Sequence, residues 1–316
     1  MNTDWMRNLF ACKNVNDFNV FRKKHRRKLP SLYKFSKPTY HAIRNLELKQ
    51  IYLSQPKDFN DPMDSKMAFT KQEMYYSLIQ SPLLLTPKGS IKDVFLTRSF
   101  EEFENMPNKP NDVSWVVDCI NQNYNNKNFI ENYVETRNFF RISCFTERVD
   151  SSPMWSYYTD DHKGFCVKYN FTKLYDENIL NYLYPVGYSE TPCCSGSLIG
   201  IKKHIDDYKN GCLDMQWADY IDLAAWACVI KATEWKHENE WRFVISQIYI
   251  DEYFNKSYQV AIPARCIERI ILGVKTETII KEHLTEIAKT HKAELYQADF
   301  IPNSYKMDMI KLYSPK

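Results

Sequence analysis

Three glutamates stand close together in the segment KATEWKHENEWRFVIS, residues 231–246: Glu234, Glu238 and Glu240. The apolar run WRFVIS that follows predicts a buried strand. Residues two apart in an extended chain point to the same face, so we expect Glu238 and Glu240 to share one side of a cleft. Carboxylates placed there can stabilise developing positive charge or transfer protons. The alternative is a structural role, in which the two carboxylates form ion pairs with Lys231, Lys236 or Arg242.

The composition is that of an ordinary globular protein. The chain has 316 residues, of which 44% are hydrophobic and 26% charged, so a full core is expected and extensive disorder is not. The net charge of +3 does not by itself indicate a nucleic-acid-binding protein. Glycine is scarce, with seven residues, and neither GxGxxG nor GxxxxGK[ST] occurs. These observations argue against a fold that binds nucleotides through a glycine-rich loop.

Cysteine spacing and hydropathy bear on whether the protein has a metal site and whether it is secreted or crosses a membrane. The nine cysteines include no CxxC pair, so we expect reduced thiols and no structural zinc or other metal. No apolar run approaches the roughly 20 residues that span a bilayer, and the first residues lack the apolar core of a signal peptide. We therefore predict a soluble cytoplasmic protein without a membrane partner.

Strand-like and helix-like segments are interleaved along the chain. Short apolar runs predict strands at 31–37, 139–147 and 165–171, and helical patterns begin near Tyr40 and at 151–164. The helical pattern across MQWADYIDLAAWACVIKA, residues 215–232, predicts one more helix before the glutamates. This mixture indicates an α+β fold around a mixed or antiparallel sheet. We expect residues 30–316 to form a single domain with a mostly helical insertion at about 65–138.

A basic run precedes this domain. Six of the seven positions from Arg22 to Lys28 are Lys or Arg, within a short helical extension predicted over residues 1–29. Such a run usually forms a solvated helix face. The alternative is phosphate contact with a nucleic acid, and the candidate residues are Lys24, Arg26 and Arg27.

Five short motifs, taken in order, resemble a large bacterial family of unknown function, domain of unknown function 2971. The motifs are LYKF at 32–35, FNDP at 59–62, CFT at 144–146, MWSYYTDDHKG at 154–164 and ENEWR at 238–242. Each motif alone is weak evidence, whereas five in the same order are specific. The family carries no known chemistry, so any function has to come from the residues themselves.

The order of elements also resembles, more distantly, that of NAD-dependent ADP-ribosyltransferases. In those enzymes a basic residue lies on the first strand, Ser or Thr lies on a second strand, and Glu-x-Glu opens a later strand. Here Lys34 stands where they carry Arg or His, Ser143 and Thr146 fall in SCFTE instead of Ser-Thr-Ser, and the glutamates are Glu238 and Glu240. The resemblance implies an ADP-ribosyltransferase-like fold, with NAD as substrate and no metal.

The resemblance also implies roles for individual residues. Glu240 would hydrogen-bond a ribose hydroxyl and stabilise the oxocarbenium-like centre formed when nicotinamide leaves, and Glu238 would orient or deprotonate the acceptor. The predicted NAD-binding residues are Tyr33, Lys34, Ser143, Thr146, Trp155 and Tyr158. Trp155 and Tyr158 would form a stacking wall, although their helical spacing with Met154 is equally typical of core packing. We expect Lys34, the strand 143–146, Trp155 or Tyr158, and Glu240 to meet at one pocket.

The functional prediction that follows is an effector that transfers ADP-ribose to a macromolecular acceptor, protein or nucleic acid, or hydrolyses NAD. The implied setting is a bacterial toxin or phage defence, with a cognate antitoxin or defence partner. Two alternatives stay open. One is a non-catalytic module that binds a nucleotide or a partner in the same cleft. The other is a metal-dependent nuclease built on Glu238, Glu240 and Lys231, for which the sequence identifies no acidic partner.

Overall fold

The computed structural model describes residues 29–65, 70–72, 75, 99–109, 111–125, 138–174, 177–190, 228–254 and 257–315. The basic run with Lys24, Arg26 and Arg27 lies outside these ranges, as do much of the predicted insertion and most of the predicted helix at 215–232. None of the helices in the described ranges combines the length and the apolar character that crossing a bilayer would require.

The strands and α-helices follow one another along the chain in this order. They are β1 (Leu32–Ser36), α1 (Tyr40–Glu47), β2 (Gln50–Tyr52), α2 (Phe100–Glu104), α3 (Asn111–Asn125), β3 (Phe140–Thr146), α4 (Ser152–Tyr158), β4 (Phe165–Tyr169), β5 (Leu183–Pro185), β6 (Gly187–Ser189), β7 (Ile230–Ala232), β8 (Glu240–Ser246), α5 (Gln247–Tyr253), β9 (Gln259–Ala261), β10 (Ile267–Leu272), α6 (Thr278–His291), β11 (Glu294–Phe300) and β12 (Met307–Tyr313). Short 3₁₀ helices connect several of them, and one of these, Thr233–Glu238, leads into β8.

Eight strands form one mixed sheet in the order β12-β11-β10-β4-β1-β3-β8-β5. Only β10 and β11 are parallel among the neighbouring pairs in this sheet, and helix α6 makes the crossover between them. The remaining neighbours are antiparallel. The mixed sheet predicted from the sequence is therefore confirmed, and it is combined with several helices.

Both faces of the sheet are covered. On one face, Leu32 of β1 and Phe243 of β8 belong to a large core that includes Ile43 of α1 and Leu284 of α6. On the other face, Trp155 of α4 is fully buried in a smaller cluster. The two-residue period of a strand sends successive side chains of β1 to opposite faces, so Leu32 packs in the first cluster and Tyr33 and Phe35 pack against the second.

Two other segments bear on the sequence predictions. The described part of the predicted insertion contains α2 and α3, whose apolar side chains form a separate cluster around Phe103 and Ile120. The predicted helix at 215–232 is wrong at its end, because Ile230–Ala232 is strand β7, parallel to β6. Val229 and Ile230 are both β-branched and buried, which favours an extended conformation.

Candidate functional site

The sheet opens between β1 and β3. These strands pair at one position only, Tyr33 opposite Thr146, whereas β1 pairs with β4 at five positions and β3 with β8 at seven. Further along β3, Ser54 from outside the sheet bridges to Ile142 in the place that β1 would take. A pocket of about 190 Å³ lies at this opening. Its described lining comes from β1, β3, β8, α4, the segment after β2, and β7.

Most of the sequence-predicted residues meet at this pocket. Its walls include Tyr33, Lys34, Ser143, Thr146, Tyr158, Glu238 and Glu240. More than 200 positions separate β1 from β8 in the chain, so the sheet topology is what brings these side chains together. Several further lining residues come from FNDP and its surroundings, namely Phe59, Asn60 and Asp64.

Trp155 is the exception among the predicted residues. Its side chain is fully buried, packs edge-on against Phe35 with ring centroids 5.0 Å apart, and donates from Nε1 to the carbonyl oxygen of Val149 at 2.8 Å. It does not line the pocket, so the predicted stacking role is wrong in this structure. Trp155 lies on the apolar face of α4 and packs in the core, which is the alternative that its helical spacing with Met154 indicated.

The two glutamates approach each other by a different route from the one predicted. Glu238 is the last residue of the 3₁₀ helix, and Asn239 adopts a left-handed conformation with φ 45° before the strand begins at Glu240. The inference from two-residue periodicity is therefore wrong, because only Glu240 lies in an extended strand. The tight turn at Asn239 still leaves both carboxylates beside the same amine, that of Lys231.

Lys231 lies between three buried carboxylates. Its Nζ is 2.5 Å from Glu238 Oε2, 3.1 Å from Glu240 Oε2 and 3.6 Å from Asp64 Oδ2. The same amine sits 4.7 Å from the ring centroid of Trp235. Because Lys231 and the three carboxylates are buried, their mutual attraction is screened far less than in a surface pair.

Arg242 is the second cation of the cluster, and it is completely buried. It donates from Nε and Nη2 to the two oxygens of Glu240 at 2.7 and 3.0 Å. It also donates from Nη1 and Nη2 to the two oxygens of Asp64 at 2.8 and 2.7 Å. The remaining bonds go to Ser65 Oγ and to the carbonyl oxygen of Cys228. This planar fork thus connects three distant segments of the chain.

The environments of the two glutamates push their pKa values apart. Burial alone would raise the pKa of Glu240, but the Arg242 and Lys231 cations outweigh it and hold that pKa at about 2. Burial and the charge of Glu240 raise the pKa of Glu238, against the opposing effects of Lys231 and Tyr158. When the pKa values of two neighbouring carboxyl groups differ in this way, the group with the low pKa stays ionised and the group with the raised pKa can accept or donate a proton.

Lys34 approaches the cluster from the opposite side of the opening. Its Nζ donates to Ser143 Oγ at 2.8 Å and to the carbonyl oxygen of Cys144 at 3.3 Å. Among the described residues no carboxylate forms an ion pair with it. Burial lowers the pKa of Lys34, and the charge of Glu240 opposes this effect. An amine without a paired anion, at the wall of a pocket, can bind an anionic group of a ligand.

Thr146 and Tyr158 hold Glu238 in place. The Thr146 hydroxyl donates to the backbone carbonyl of Glu238 and accepts from the backbone N–H of Arg148 at 3.0 Å. The Tyr158 hydroxyl donates to Glu238 Oε1 at 2.6 Å. Both residues therefore act on Glu238 as well as lining the pocket.

Sequence reasoning placed Lys231 and Arg242 among the ion-pair partners of the glutamates, named Lys231 also in the nuclease alternative, and did not connect Asp64 with Arg242. The ion-pair alternative for Glu240 is confirmed for Lys231 and Arg242, whereas Lys236 is exposed. The signal that could have pointed to Asp64 is its position two residues after FNDP, in the loop that follows β2. Its meeting with Arg242, 178 positions away, depends on tertiary structure.

The low pKa of Glu240 predicts an acid-dependent loss of stability. Since this pKa falls from 4.5 to about 2 on folding, its contribution is fully present above about pH 5 and is lost as the pH falls towards 2. The shift corresponds to on the order of 3 kcal/mol. In urea unfolding, the stability advantage of the wild type over Glu240→Gln should shrink by about 1.4 kcal/mol per pH unit below pH 4.5. A pH-independent difference between pH 6 and 3 would contradict this.

Comparison with known proteins gives one match. A family model described as "Protein of unknown function (DUF2971)" matches residues 154–243, a segment that runs from helix α4 to the middle of β8. Neither a curated protein nor a solved structure matches the chain. The matched segment contains Tyr158, Lys231, Glu238, Glu240 and Arg242 of the site. It supports the resemblance of this chain, over those residues, to that family of unknown function.

Proposed function

We propose that the protein is an enzyme that cleaves the bond between nicotinamide and ribose in NAD. It would pass ADP-ribose to a macromolecular acceptor, protein or nucleic acid, or to water. NAD is the substrate in this proposal and no metal ion takes part. The proposal extends to the biological setting of a bacterial toxin or phage-defence protein with a cognate antitoxin or defence partner.

The single observation that carries the proposal is that two carboxylates with different partners, Glu238 and Glu240, line one wall of the same pocket. Glu240, with a pKa of about 2, is an anion at every physiological pH and can stabilise the positive charge that develops on the ribose. Glu238, whose pKa is raised, can take the proton of an attacking hydroxyl or water. Nicotinamide leaves as a neutral molecule, so no acid is needed for its departure.

The size of the pocket indicates that only one part of the NAD molecule would bind inside it. A volume of about 190 Å³ is below the roughly 300–1,000 Å³ of sites that enclose a whole drug-sized ligand. It suits the reacting end of NAD, with the rest of the molecule outside it. Lys34, at the wall, is then available to the negatively charged pyrophosphate.

The pairing of Glu240 favours a second candidate, a non-catalytic module that binds a nucleotide or partner. Both of its carboxylate oxygens already accept hydrogen bonds from Arg242, and Oε2 accepts another from Lys231. In that case the cluster stabilises the fold around the opening of the sheet, and the pocket binds without reacting. Activity measurements separate the two candidates.

The arrangement of charges argues against a nuclease. Asp64 is the acidic partner that the sequence did not identify, but the Lys231 amine occupies the position between the three carboxylates where a divalent cation would have to bind. Nowhere in the described ranges do three or more His, Cys, Asp or Glu side chains form a group able to hold a metal ion.

Incubation with NAD tests the proposed reaction. We expect free nicotinamide to accumulate, and mass spectrometry to find either ADP-ribose in solution or an acceptor whose mass has increased by one ADP-ribose unit. EDTA should leave the rate unchanged, because no step uses a metal ion. Stoichiometric binding of NAD without any nicotinamide release would favour the binding module instead.

A nucleic-acid acceptor makes a separate prediction for the basic run. Reversing Lys24 and Arg26 to Glu should weaken binding to DNA or RNA in a gel-shift assay and reduce the slope of log K against log salt by about 2. Two exposed lysines on the described surface, Lys275 and Lys289, provide matched reversals that should have little effect. A wild-type protein that shifts neither nucleic acid at low salt would remove this part of the proposal.

A further inference from the structure

A second, larger cavity lies on the face of the sheet under helix α1. Its volume is about 540 Å³, within the range of small-molecule sites. The floor is apolar and comes from β4, through Phe165, Val167 and Tyr169. Helix α1 and strands β2 and β9 supply the walls. Nothing in the proposed chemistry has so far used this space.

Lys34 connects the two cavities. It stands opposite Val167 in the β1–β4 register, so its side chain leaves the sheet on the face that forms the floor of the second cavity. Its amine then reaches Ser143 across the opening between β1 and β3, at the wall of the first pocket. A ligand that occupied both cavities would therefore have this amine near its middle.

The polar groups of the second cavity are mainly neutral. The amides of Asn45 and Gln50 line it, and neither accepts or donates a side-chain hydrogen bond within the described part of the chain. Of the described residues that line this cavity, none is acidic. Asn and Gln amides match the donor–acceptor edge of adenine, and aromatic rings provide a surface on which a base can stack.

We propose that the second cavity binds the adenine half of the dinucleotide, with Lys34 between the two halves at the pyrophosphate. This inference rests on the proposed function for the identity of the ligand as NAD. It assigns the nicotinamide ribose to the 190 Å³ pocket and the adenosine to the 540 Å³ cavity. It also explains why a half-buried lysine at the junction has no carboxylate partner among the described residues.

Calorimetric titration with ADP-ribose tests the assignment without requiring turnover. In Asn45→Trp the bulky ring fills part of the cavity and removes one amide, so the Kd for ADP-ribose should rise at least tenfold. Arg44→Trp places the same ring on the same helix at an exposed position outside the cavity, and it should change the Kd less than twofold. Circular dichroism and melting curves confirm that both variants are folded.

The outcomes separate this inference from the proposed function. ADP-ribose binding that is weakened by Asn45→Trp, without NAD consumption by the wild type, would support the cavity assignment and contradict the enzyme. NAD consumption with an unchanged KM in Asn45→Trp would support the enzyme and overturn the cavity assignment. The assignment is also overturned if the wild type does not bind ADP-ribose at millimolar concentration, or if the two tryptophan variants weaken binding equally.

Discussion

Glu240→Gln is expected to lower the rate of NAD consumption per folded molecule by about 10²–10³. Removing one group that stabilises charge only in the transition state typically costs this much. Gln keeps the shape of the side chain and part of its hydrogen bonding, but it removes the negative charge that would face the ribose. The affinity for ADP-ribose should change little, because this product carries no developing positive charge at the ribose.

Stability has to be measured on the same preparation. Glu240 is bound to Arg242 and Lys231, so the Gln variant leaves two buried cations with one anion fewer. We expect the free energy of unfolding to fall by up to a few kcal/mol. Rates should therefore be taken well below the melting temperature and divided by the folded fraction from circular dichroism.

Glu268→Gln is a matched control elsewhere on the sheet. Its pKa is also about 2, because Asn170, Lys173 and Lys168 hydrogen-bond to the carboxylate and outweigh the effect of burial. It lies outside the described lining of the first pocket. We expect this variant to keep its rate within about twofold. Equal losses in the two variants, or a wild-type rate in Glu240→Gln, would exclude Glu240 as the catalytic carboxylate.

The strands that build the site could be predicted because their patterns are local. Apolar runs predicted β1, β3 and β4 close to their observed bounds. Their arrangement was a different matter. Strands β1 and β3 pair at a single position and so leave a pocket between them. This pairing depends on the whole sheet and cannot be predicted from the sequence of either strand.

The site residues show the same division. Glu238 and Glu240 attracted attention by their spacing, yet their actual geometry depends on the left-handed Asn239, which strand periodicity did not anticipate. Trp155 and Tyr158 belong to one short helix, and only the direction of each side chain decides that one enters the core and the other reaches Glu238. Asp64 belongs to the site because it accepts hydrogen bonds from Arg242, and this contact depends on the fold and not on the spacing of the two residues in the sequence.

Arg242→Met is expected to cause a large loss of stability. The substitution removes a fully buried cation and leaves Asp64 and Glu240 as buried anions whose main partner is gone. Breaking a buried ion pair in this way typically costs about 3–5 kcal/mol. Arg242→Lys should recover only part of this, because a single amine cannot replace the six hydrogen bonds of the guanidinium.

Urea unfolding with two further variants distinguishes the cluster from an ordinary ion pair. Arg269→Met removes a half-exposed arginine that pairs with Glu294 at 2.9 Å, and it should cost no more than about 1 kcal/mol. Asp64→Asn combined with Arg242→Met should cost less than the sum of the single changes, because it removes one of the anions that the loss of Arg242 leaves unpaired. Strictly additive effects, or similar costs for Arg242→Met and Arg269→Met, would contradict the view that this buried cluster holds the loop of Asp64 and strand β8 together at the pocket.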